Sequence, residues 1–313
     1  MPTPSDTLRN ADFGLRSENP RSVYPNFKSE TDCAQPTQER LPITALKTGP
    51  RSQSAIRNLQ SEIDLAIARS FLYQFLAQAF VYPTQEGWRW LAEPQVQTAF
   101  KLAVKALEED GNDLVARGVE LASGLTVGDF ESFLGDYIAV FGHAARGSCP
   151  LNEIEYGDLK ADPLFQPHRL ADLAAYYRAF GLEVAEDATE RPDHICVELE
   201  LMSVLTAKEA YALEHQLDDA DLSVCQEAQR SFLREHLGRW TPAFTRRLAQ
   251  AVGAGVLGTL ARFTEVFMAA ECRQFDLPFG SEELMLRPVD EADESLCTTC
   301  GIRNLPPGAM TAT

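Results

Sequence analysis

The chain has few basic residues for its length: 28 lysines and arginines stand against 46 aspartates and glutamates among 313 residues. The formal net charge is therefore −18 and the sequence pI is about 4.7. Non-specific binding to DNA or RNA needs lysine and arginine against the phosphates, so this composition argues against a nucleic-acid partner. An acidic surface fits a partner with a basic segment, and it is equally typical of a protein that is simply kept soluble.

Long apolar runs and strand patterns are also scarce. The uncharged run at residues 248–261 is rich in Gly and Ala and falls short of the ~20 residues needed to cross a bilayer, and the N-terminus lacks the apolar core of a signal peptide. We therefore expect a cytoplasmic protein without a membrane span. Runs that alternate β-branched and polar residues are almost absent, which disfavours a sheet protein.

Seven cysteines are scattered through the chain, and their number is odd. This fits free thiols in a reducing compartment better than a disulfide framework. Cys297 and Cys300 form a C-x-x-C pair near the C-terminus, which could supply half of a zinc site or a redox dithiol. The chain has no second such pair to complete a zinc site. Three interpretations of the pair therefore stay open: half of a metal site, a redox dithiol, or incidental thiols in a flexible tail.

Apolar residues recur at helical spacing from about residue 59 to 280, which predicts an all-α fold with eight or more helices. Residues 1–58 show no sustained period and are predicted to be a disordered extension. Residues 281–313 are predicted to be a tail that carries the C-x-x-C pair. The predicted helices cover about 62–82, one from Thr84, one from Val96, 114–125, one from Phe130, about 170–180, about 193–215, about 222–237 and one long helix from about 242 to 270.

One segment, Glu190-Arg-Pro-Asp-His-Ile, precedes an apolar stripe and is predicted to open a helix. Pro192 suits the first helical position, and Asp193 is an acid where the helix dipole favours negative charge. His194 and Glu198 are four residues apart and so share one face. The opposite face is apolar at Ile195, Leu199, Met202 and Leu205. The pattern therefore predicts a polar cluster on one face of this helix and a core face behind it.

A second segment, residues 149–157, reads Cys-Pro-Leu-Asn-Glu-Ile-Glu-Tyr-Gly and follows an amphipathic helix that ends near Gly142. The carboxylates of Glu153 and Glu155 beside the Tyr156 ring suit recognition of an arginine, through charge-assisted hydrogen bonds and stacking. The alternative is an ordinary solvated loop.

These two segments, in this order, resemble the TorD/DmsD/NarJ family of molybdoenzyme maturation chaperones. The family pattern is a Pro-Leu-Tyr-Glu-Ser-x-Tyr loop followed by a Glu-x-Pro-Asp-His-x-x-x-Glu-Leu helix. Asn152 and Ile154 depart from the loop pattern. A weaker echo of the family includes His236 and Trp240, and the resemblance covers roughly residues 62 to 275. The helix pattern is matched at Pro192, Asp193, His194, Glu198 and Leu199.

The resemblance implies a compact helical chaperone with a hinge-like link at about residues 183–191, and not an enzyme. It would bind the apo catalytic subunit of a molybdoenzyme of the dimethyl-sulfoxide-reductase type at its twin-arginine leader, as a monomer or homodimer. It would assist insertion of the molybdenum cofactor into that subunit before export, without a cofactor of its own. The implied partner-binding residues are Pro150, Glu153, Tyr156, Glu190, Asp193, His194 and Glu198. The alternative function is a helical metal-binding or redox protein that uses Cys297 and Cys300.

Overall fold

The computed structural model describes residues 27–29, 53–109, 113–142, 147, 149–157, 165–185, 188, 190–253, 255–281 and 284–286. These residues form ten α-helices and a pair of short strands. The helices are α1 (Gln53–Phe80), α2 (Gln85–Ala92), α3 (Pro94–Ala106), α4 (Leu114–Gly124), α5 (Phe130–Phe141), α6 (Phe165–Ala179), α7 (Ile195–Glu214), α8 (Asp219–Glu235), α9 (Leu237–Val252) and α10 (Val256–Gln274). The all-α prediction is therefore confirmed.

The strands β1 (Phe27–Ser29) and β2 (Leu182–Val184) pair antiparallel, with Lys28 opposite Glu183. Three residues are too few for an alternating pattern to register, so the sequence did not predict either strand. Of residues 1–58, which are predicted to be disordered, the structure describes 27–29, in β1, and 53–58, in α1. The prediction for the other residues of this segment lies outside the described part of the chain. Helix α1 begins at Gln53, earlier than the apolar period indicated.

Helix starts follow local capping chemistry. The Thr84 side chain accepts a hydrogen bond from the Gly87 N–H at 3.1 Å and so caps α2. Asp218 caps α8 in the same way, through the Asp221 N–H at 2.9 Å. Each cap satisfies one of the N–H groups that a helix N-terminus leaves without a carbonyl partner.

The prediction of one long helix from about 242 to 270 is wrong. The chain turns at Gly253, whose φ of +62° is readily adopted only by glycine, and α10 starts at Val256. The glycines at 253, 255 and 258 therefore lie at the junction of two packed helices, with Gly258 already inside α10. A side chain at Gly258 would overlap the Gly253 carbonyl oxygen.

Helix α7 is the centre of the core. It packs along α1, and it also contacts α8 and α9, while α10 packs on α9 and α4. Almost every side chain from Ile195 to Leu213 is buried, including Glu198, Glu200 and Glu209. The predicted division of this helix into a polar face and a core face is therefore wrong, because residues 195–206 are buried on all sides and exposed side chains such as Tyr211 occur only in the second half. None of the helices in the described ranges is both long and apolar enough to cross a membrane.

A buried ionic cluster holds four of these helices together. The guanidinium of Arg69 on α1 is 1% exposed and donates to Glu271 on α10 at 2.7–3.1 Å and to Glu209 on α7 at 3.0 Å. It also donates to the side chain of Gln229 on α8 at 2.7 Å, and Tyr73 donates to Glu271 at 2.8 Å. Each buried charge thus has an opposite charge and hydrogen bonds, without which burial would be costly.

A candidate binding site built on two paired segments

The loop 149–157 and the turn 190–195 are joined by main-chain pairing. The Glu153 N–H donates to the Asp193 carbonyl at 2.8 Å, and the Ile195 N–H donates to the Leu151 carbonyl at 2.9 Å. Asn152 and His194 form an antiparallel bridge between these two bonds. The two segments that the sequence singled out therefore form one structural unit. Pro192 lies in the turn before α7, because the helix begins at Ile195 with His194 as its N-cap. Its predicted place at the first helical position is wrong.

Glu153 is the centre of a buried ion-pair cluster. Its side chain is 0% exposed, and its carboxylate lies 2.9 Å from Arg169 Nη2, 3.2 Å from Arg239 Nη2 and 3.0 Å from His236 Nδ1. Burial alone would raise the pKa of Glu153, but the hydrogen bond and charge of His236, with the two arginines, lower it overall. The residue is therefore an ionised carboxylate that links the loop to α6 and to the start of α9.

Asp193 is buried as well, and it binds the loop from the other side. It accepts hydrogen bonds from the Ile154 N–H at 3.3 Å and from Asn152 Nδ2 at 3.4 Å. The guanidinium of Arg191 lies against both carboxylate oxygens, at 3.1 and 3.2 Å. Burial raises the pKa of Asp193, and the Arg191 charge opposes that rise. Of the two positions that depart from the family's loop pattern, Asn152 thus contacts Asp193 through its side chain, whereas Ile154 does so only through its main-chain N–H.

His194 and Glu198 do not form an exposed pair. His194 Nδ1 accepts from the Cys196 N–H at 3.3 Å and so caps α7, while its Nε2 lies 3.4 Å from Glu190. Burial, assisted by the Arg191 charge, lowers the pKa of His194 to about 3, so the ring is neutral. Neutral histidine with Nδ1 as acceptor carries its proton on Nε2, which can donate to Glu190.

Glu198 lies deeper in the cluster. Its side chain is fully buried, and its Oε2 accepts from Trp240 Nε1 at 3.1 Å. Burial, together with the neighbouring charge of Glu153, raises the pKa of Glu198 well above its usual value. The pKa values of the two carboxyls therefore shift in opposite directions, because Glu153 contacts Arg169, Arg239 and His236 directly, whereas the Oε2 of Glu198 contacts Trp240.

Tyr156 does not present its ring to solvent. The ring packs on that of Trp240 with the centroids 5.1 Å apart, and the hydroxyl donates to the Pro150 carbonyl at 2.7 Å. Pro150 is buried beside it. In this conformation the loop is therefore neither an ordinary solvated loop nor an open aromatic platform for an arginine.

The seven predicted site residues thus lie together, but they differ in access to solvent. Pro150, Glu153, Tyr156, Asp193, His194 and Glu198 are buried. At the rim, the side chain of Glu190 is 19% exposed, that of Glu155 is 17% exposed and that of Arg191 is 47% exposed. The role of the seven residues in partner binding stays a prediction. In this conformation a partner could contact directly only the rim side chains, Glu155, Glu190 and Arg191.

Sequence reasoning missed several members of the cluster. His236 and Trp240 could have been included, since both belong to the weaker of the family's sequence patterns, which lies on α8 and α9. No sequence pattern pointed to Arg169 and Arg239, because arginines on amphipathic helices usually face solvent. Nothing in the neighbouring sequence indicates that their partner is a buried carboxylate. The same holds for Arg69 and its cluster.

The described cysteines are structural in character. Cys149, Cys196, Cys225 and Cys272 are buried free thiols. Burial raises the pKa of Cys149 to about 12, so this thiol is unreactive at neutral pH. Within the described residues, no group of three or more His, Cys, Asp and Glu side chains is arranged to hold a metal ion. The predicted metal ligands Cys297 and Cys300 lie outside those residues.

Comparison with known proteins returned one protein family. The model of the nitrate reductase delta subunit family matches residues 104–246, a range that contains both paired segments. No solved structure gave a significant match to the chain.

Curated relatives include three named as chaperones. The perchlorate reductase assembly chaperone protein of Dechloromonas aromatica is 26% identical over 217 residues, which are 68% of this chain and 92% of that protein. The chlorate reductase assembly chaperone protein of Ideonella dechloratans is 29% identical over 59% of this chain and 79% of its own length. The chaperone protein TorD of Vibrio cholerae is 33% identical over 29% of this chain and 39% of its own length.

Proposed function

We propose that this chain, which belongs to the TorD/DmsD/NarJ family, is a cytoplasmic assembly chaperone dedicated to one molybdoenzyme. It binds the apo form of the catalytic subunit, holds it open for insertion of the molybdenum cofactor and delays its export until the cofactor is in place. The observation that carries the proposal is the family match across residues 104–246, which spans both segments that the structure joins. The relatives are named as assembly chaperones, so the proposed mechanism is binding and not bond-making.

The proposed partner is the leader of the catalytic subunit, with its paired arginines. The rim of the site supports this choice, because one guanidinium already lies there. Arg191 contacts both oxygens of Asp193 and comes within 4.0 Å of Glu155. Two carboxylates that both lie this close to one guanidinium can accept hydrogen bonds from different N–H groups of the same arginine. Glu155 and Glu190 are the rim carboxylates from which a basic leader would gain charge-assisted contacts.

The buried residues have a different part in this proposal. Glu153, Asp193 and His194 fix the loop and the turn against each other and against α6, α7 and α9, so that the rim carboxylates keep their positions. Pre-organised groups bind more tightly because less freedom is lost on binding. Tyr156 and Glu198 act in the same way through Trp240.

The first test is capture from the native host. Tagged protein should recover a large molybdopterin-type subunit, mainly as apo-protein, and mass spectrometry would identify that client. Recovery of no such subunit, from cells known to express one, would refute the proposal.

The second test separates the rim from the buried cluster. The double variant Glu155→Gln/Glu190→Gln should weaken capture several-fold while its thermal unfolding changes by no more than a few degrees. Glu108→Gln/Glu131→Gln, which also removes two charges but from exposed positions outside the rim, is the matched control and should leave capture unchanged. Equal losses in the rim variant and the control would show that net charge, and not the rim, attracts the partner.

A further inference from the structure

Arg191 places its own guanidinium between two carboxylates at the rim of the site. Its Nε lies 3.1 Å from Asp193 Oδ1, and its Nη2 donates to Asp193 Oδ2 at 3.2 Å. Its Nη1 lies 4.0 Å from Glu155 Oε1, on the loop 149–157. All three nitrogens of one planar group therefore face carboxylate oxygens, which come from two segments of the chain. We call the carboxylates of Asp193 and Glu155 the guanidinium subsite.

The arrangement of this subsite is specific for a guanidinium. Nε and Nη2 lie side by side on the two oxygens of Asp193, which is the fork that an arginine and a carboxylate form. A lysine ammonium carries its three N–H groups on a single nitrogen, so it cannot place donors at all three positions. We therefore expect the subsite to discriminate between arginine and lysine.

The side chain of Arg191 can leave the subsite without opening the turn. It is 47% exposed, whereas the side chain of Asp193 is 0% exposed, so the guanidinium is the outer partner of this contact. The main chain is held separately, because the His194 N–H donates to the Arg191 carbonyl at 3.0 Å and the Ile195 N–H donates to the Leu151 carbonyl at 2.9 Å. Partly exposed ion pairs add little net stability, since water replaces them when they part. Exchange at the subsite therefore needs only a side-chain movement.

Charge at the subsite favours a second guanidinium as the replacement. Burial raises the pKa of Asp193, and the charge of Arg191 opposes that rise, so a cation at this position helps to keep Asp193 ionised. Arg169 and Arg239, the other arginines of the site, bind Glu153, whereas Asp193 and Glu155 face Arg191. A displaced Arg191 would extend into solvent, where its charge is screened. An incoming arginine would then restore the contacts that the carboxylates had lost.

We propose that Arg191 is an internal substitute for an arginine of the client, and that the guanidinium subsite binds the client arginine after it has displaced Arg191. In the free protein Arg191 thus competes with the client for Asp193 and Glu155. This inference rests on the proposed function, because it assumes a client whose leader contains arginine. The subsite itself can be tested without a client.

The first test uses the side-chain analogue ethylguanidinium as the probe. Arg191→Ala vacates the subsite, so ethylguanidinium should raise the Tm of this variant by about 1–3 °C relative to its effect on the wild type, whose subsite is filled. Ethylammonium at the same concentration should give no such difference. Lys105→Gln removes one positive charge from an exposed position on α3 and is the control, which should respond as the wild type does.

The second test uses the apo catalytic subunit identified by capture, together with a form of that subunit in which lysines replace the leader arginines. Apparent affinity falls with the fraction of protein whose subsite is free. If Arg191 fills the subsite nine-tenths of the time, Arg191→Ala should therefore bind the arginine form about tenfold more tightly than the wild type does. For the lysine form the gain should be about twofold or less, and Lys105→Gln should bind both forms as the wild type does.

If Arg191→Ala unfolds early, Arg191→Gln takes its place, because the glutamine amide can still donate a hydrogen bond to Asp193. Three results would overturn the inference and leave the proposed function intact. They are equal or weaker binding of the arginine form by the folded variant, an equal gain for both forms of the subunit, and an equal effect of ethylguanidinium on variant and wild type. Failure of the wild type and every variant to bind the subunit would instead refute the proposed function, and the inference with it.

Discussion

Glu153 and Glu198 lie in one buried cluster, yet their replacement by glutamine should have opposite effects on stability at pH 7. Glu153 is ionised between Arg169, Arg239 and His236, and Glu153→Gln would leave these cations facing a neutral amide. Loss of one partner from a buried ion pair costs about 3–5 kcal/mol. Because Arg169 and Arg239 keep 15% and 27% exposure, we expect about 3 kcal/mol, or a fall in Tm of roughly 6–12 °C.

Glu198 differs because its raised pKa keeps a proton on the folded protein that the unfolded chain has lost. Above the unfolded pKa, near 4.5, folded wild-type protein therefore loses stability as pH rises, by about 1.4 kcal/mol per pH unit until the folded pKa is reached. Glutamine has no such proton and keeps an acceptor for Trp240. Glu198→Gln should cost about 1 kcal/mol near pH 4.5 and become more stable than the wild type by pH 7.

Urea unfolding at pH 4.5, 5.5, 6.5 and 7.5, followed by circular dichroism, measures both variants against the wild type. The difference between Glu198→Gln and the wild type isolates this carboxyl, because both proteins share the titration of His194. A difference that does not change with pH would show that Glu198 is ionised when folded. A loss below about 1 kcal/mol for Glu153→Gln would show that Glu153 is not the centre of the cluster.

Three further changes probe other parts of the fold. His194→Gln should flatten the fall in stability from pH 6.5 towards pH 4, since the folded pKa of about 3 makes the wild type lose roughly 1.4 kcal/mol per pH unit there; urea unfolding over that range measures it. Arg69→Met should cost about 3–5 kcal/mol in urea unfolding at pH 7, because it strands the buried carboxylates of Glu271 and Glu209, and an unchanged midpoint would contradict that account. Gly253→Ala should lower stability by about 1–3 kcal/mol through backbone strain alone, whereas the control Gly135→Ala, in helix α5 with equally open space, should raise it by about 0.5–1 kcal/mol.

Much of the helical fold could be predicted from the period of apolar residues. Helices α4 and α5 begin at the residues that the period and the capping signals indicated, Leu114 and Phe130. The break at Gly253 could not be predicted, because Ala and Leu on both sides continue the apolar period and a single glycine is tolerated within helices. The burial of α7 on all sides over residues 195–206 could not be predicted either, since its glutamates suggest a solvent face unless their distant partners are known.

The sequence predicted which residues belong to the site, but not how they are arranged or how deeply they are buried. The pattern brought Glu153, Asp193 and His194 into one hypothesis, and the structure places them together. Their burial could not be predicted, because it depends on Arg169 and Arg239, which are far along the chain and make their contacts only after the helices have packed. A local pattern records which residues take part, whereas the charge state of each depends on neighbours from other helices.

The packing of α1 on α7 sets the order in which the molecule can form during synthesis. About 130 residues are added between the end of α1 at Phe80 and the end of α7 at Glu214, and ribosomes add roughly 5–20 residues per second, so α1 is complete roughly 7–26 s before its main partner is. Throughout that interval α1 can pack only on the helices α2 and α3, through contacts such as Phe75 on Phe100, while the guanidinium of Arg69 lacks Glu209, Gln229 and Glu271, which bind it in the finished molecule. The newly made chain therefore passes through a stage in which the apolar side of α1 that faces α7 is uncovered, and during that stage it is itself prone to the aggregation that chaperones suppress.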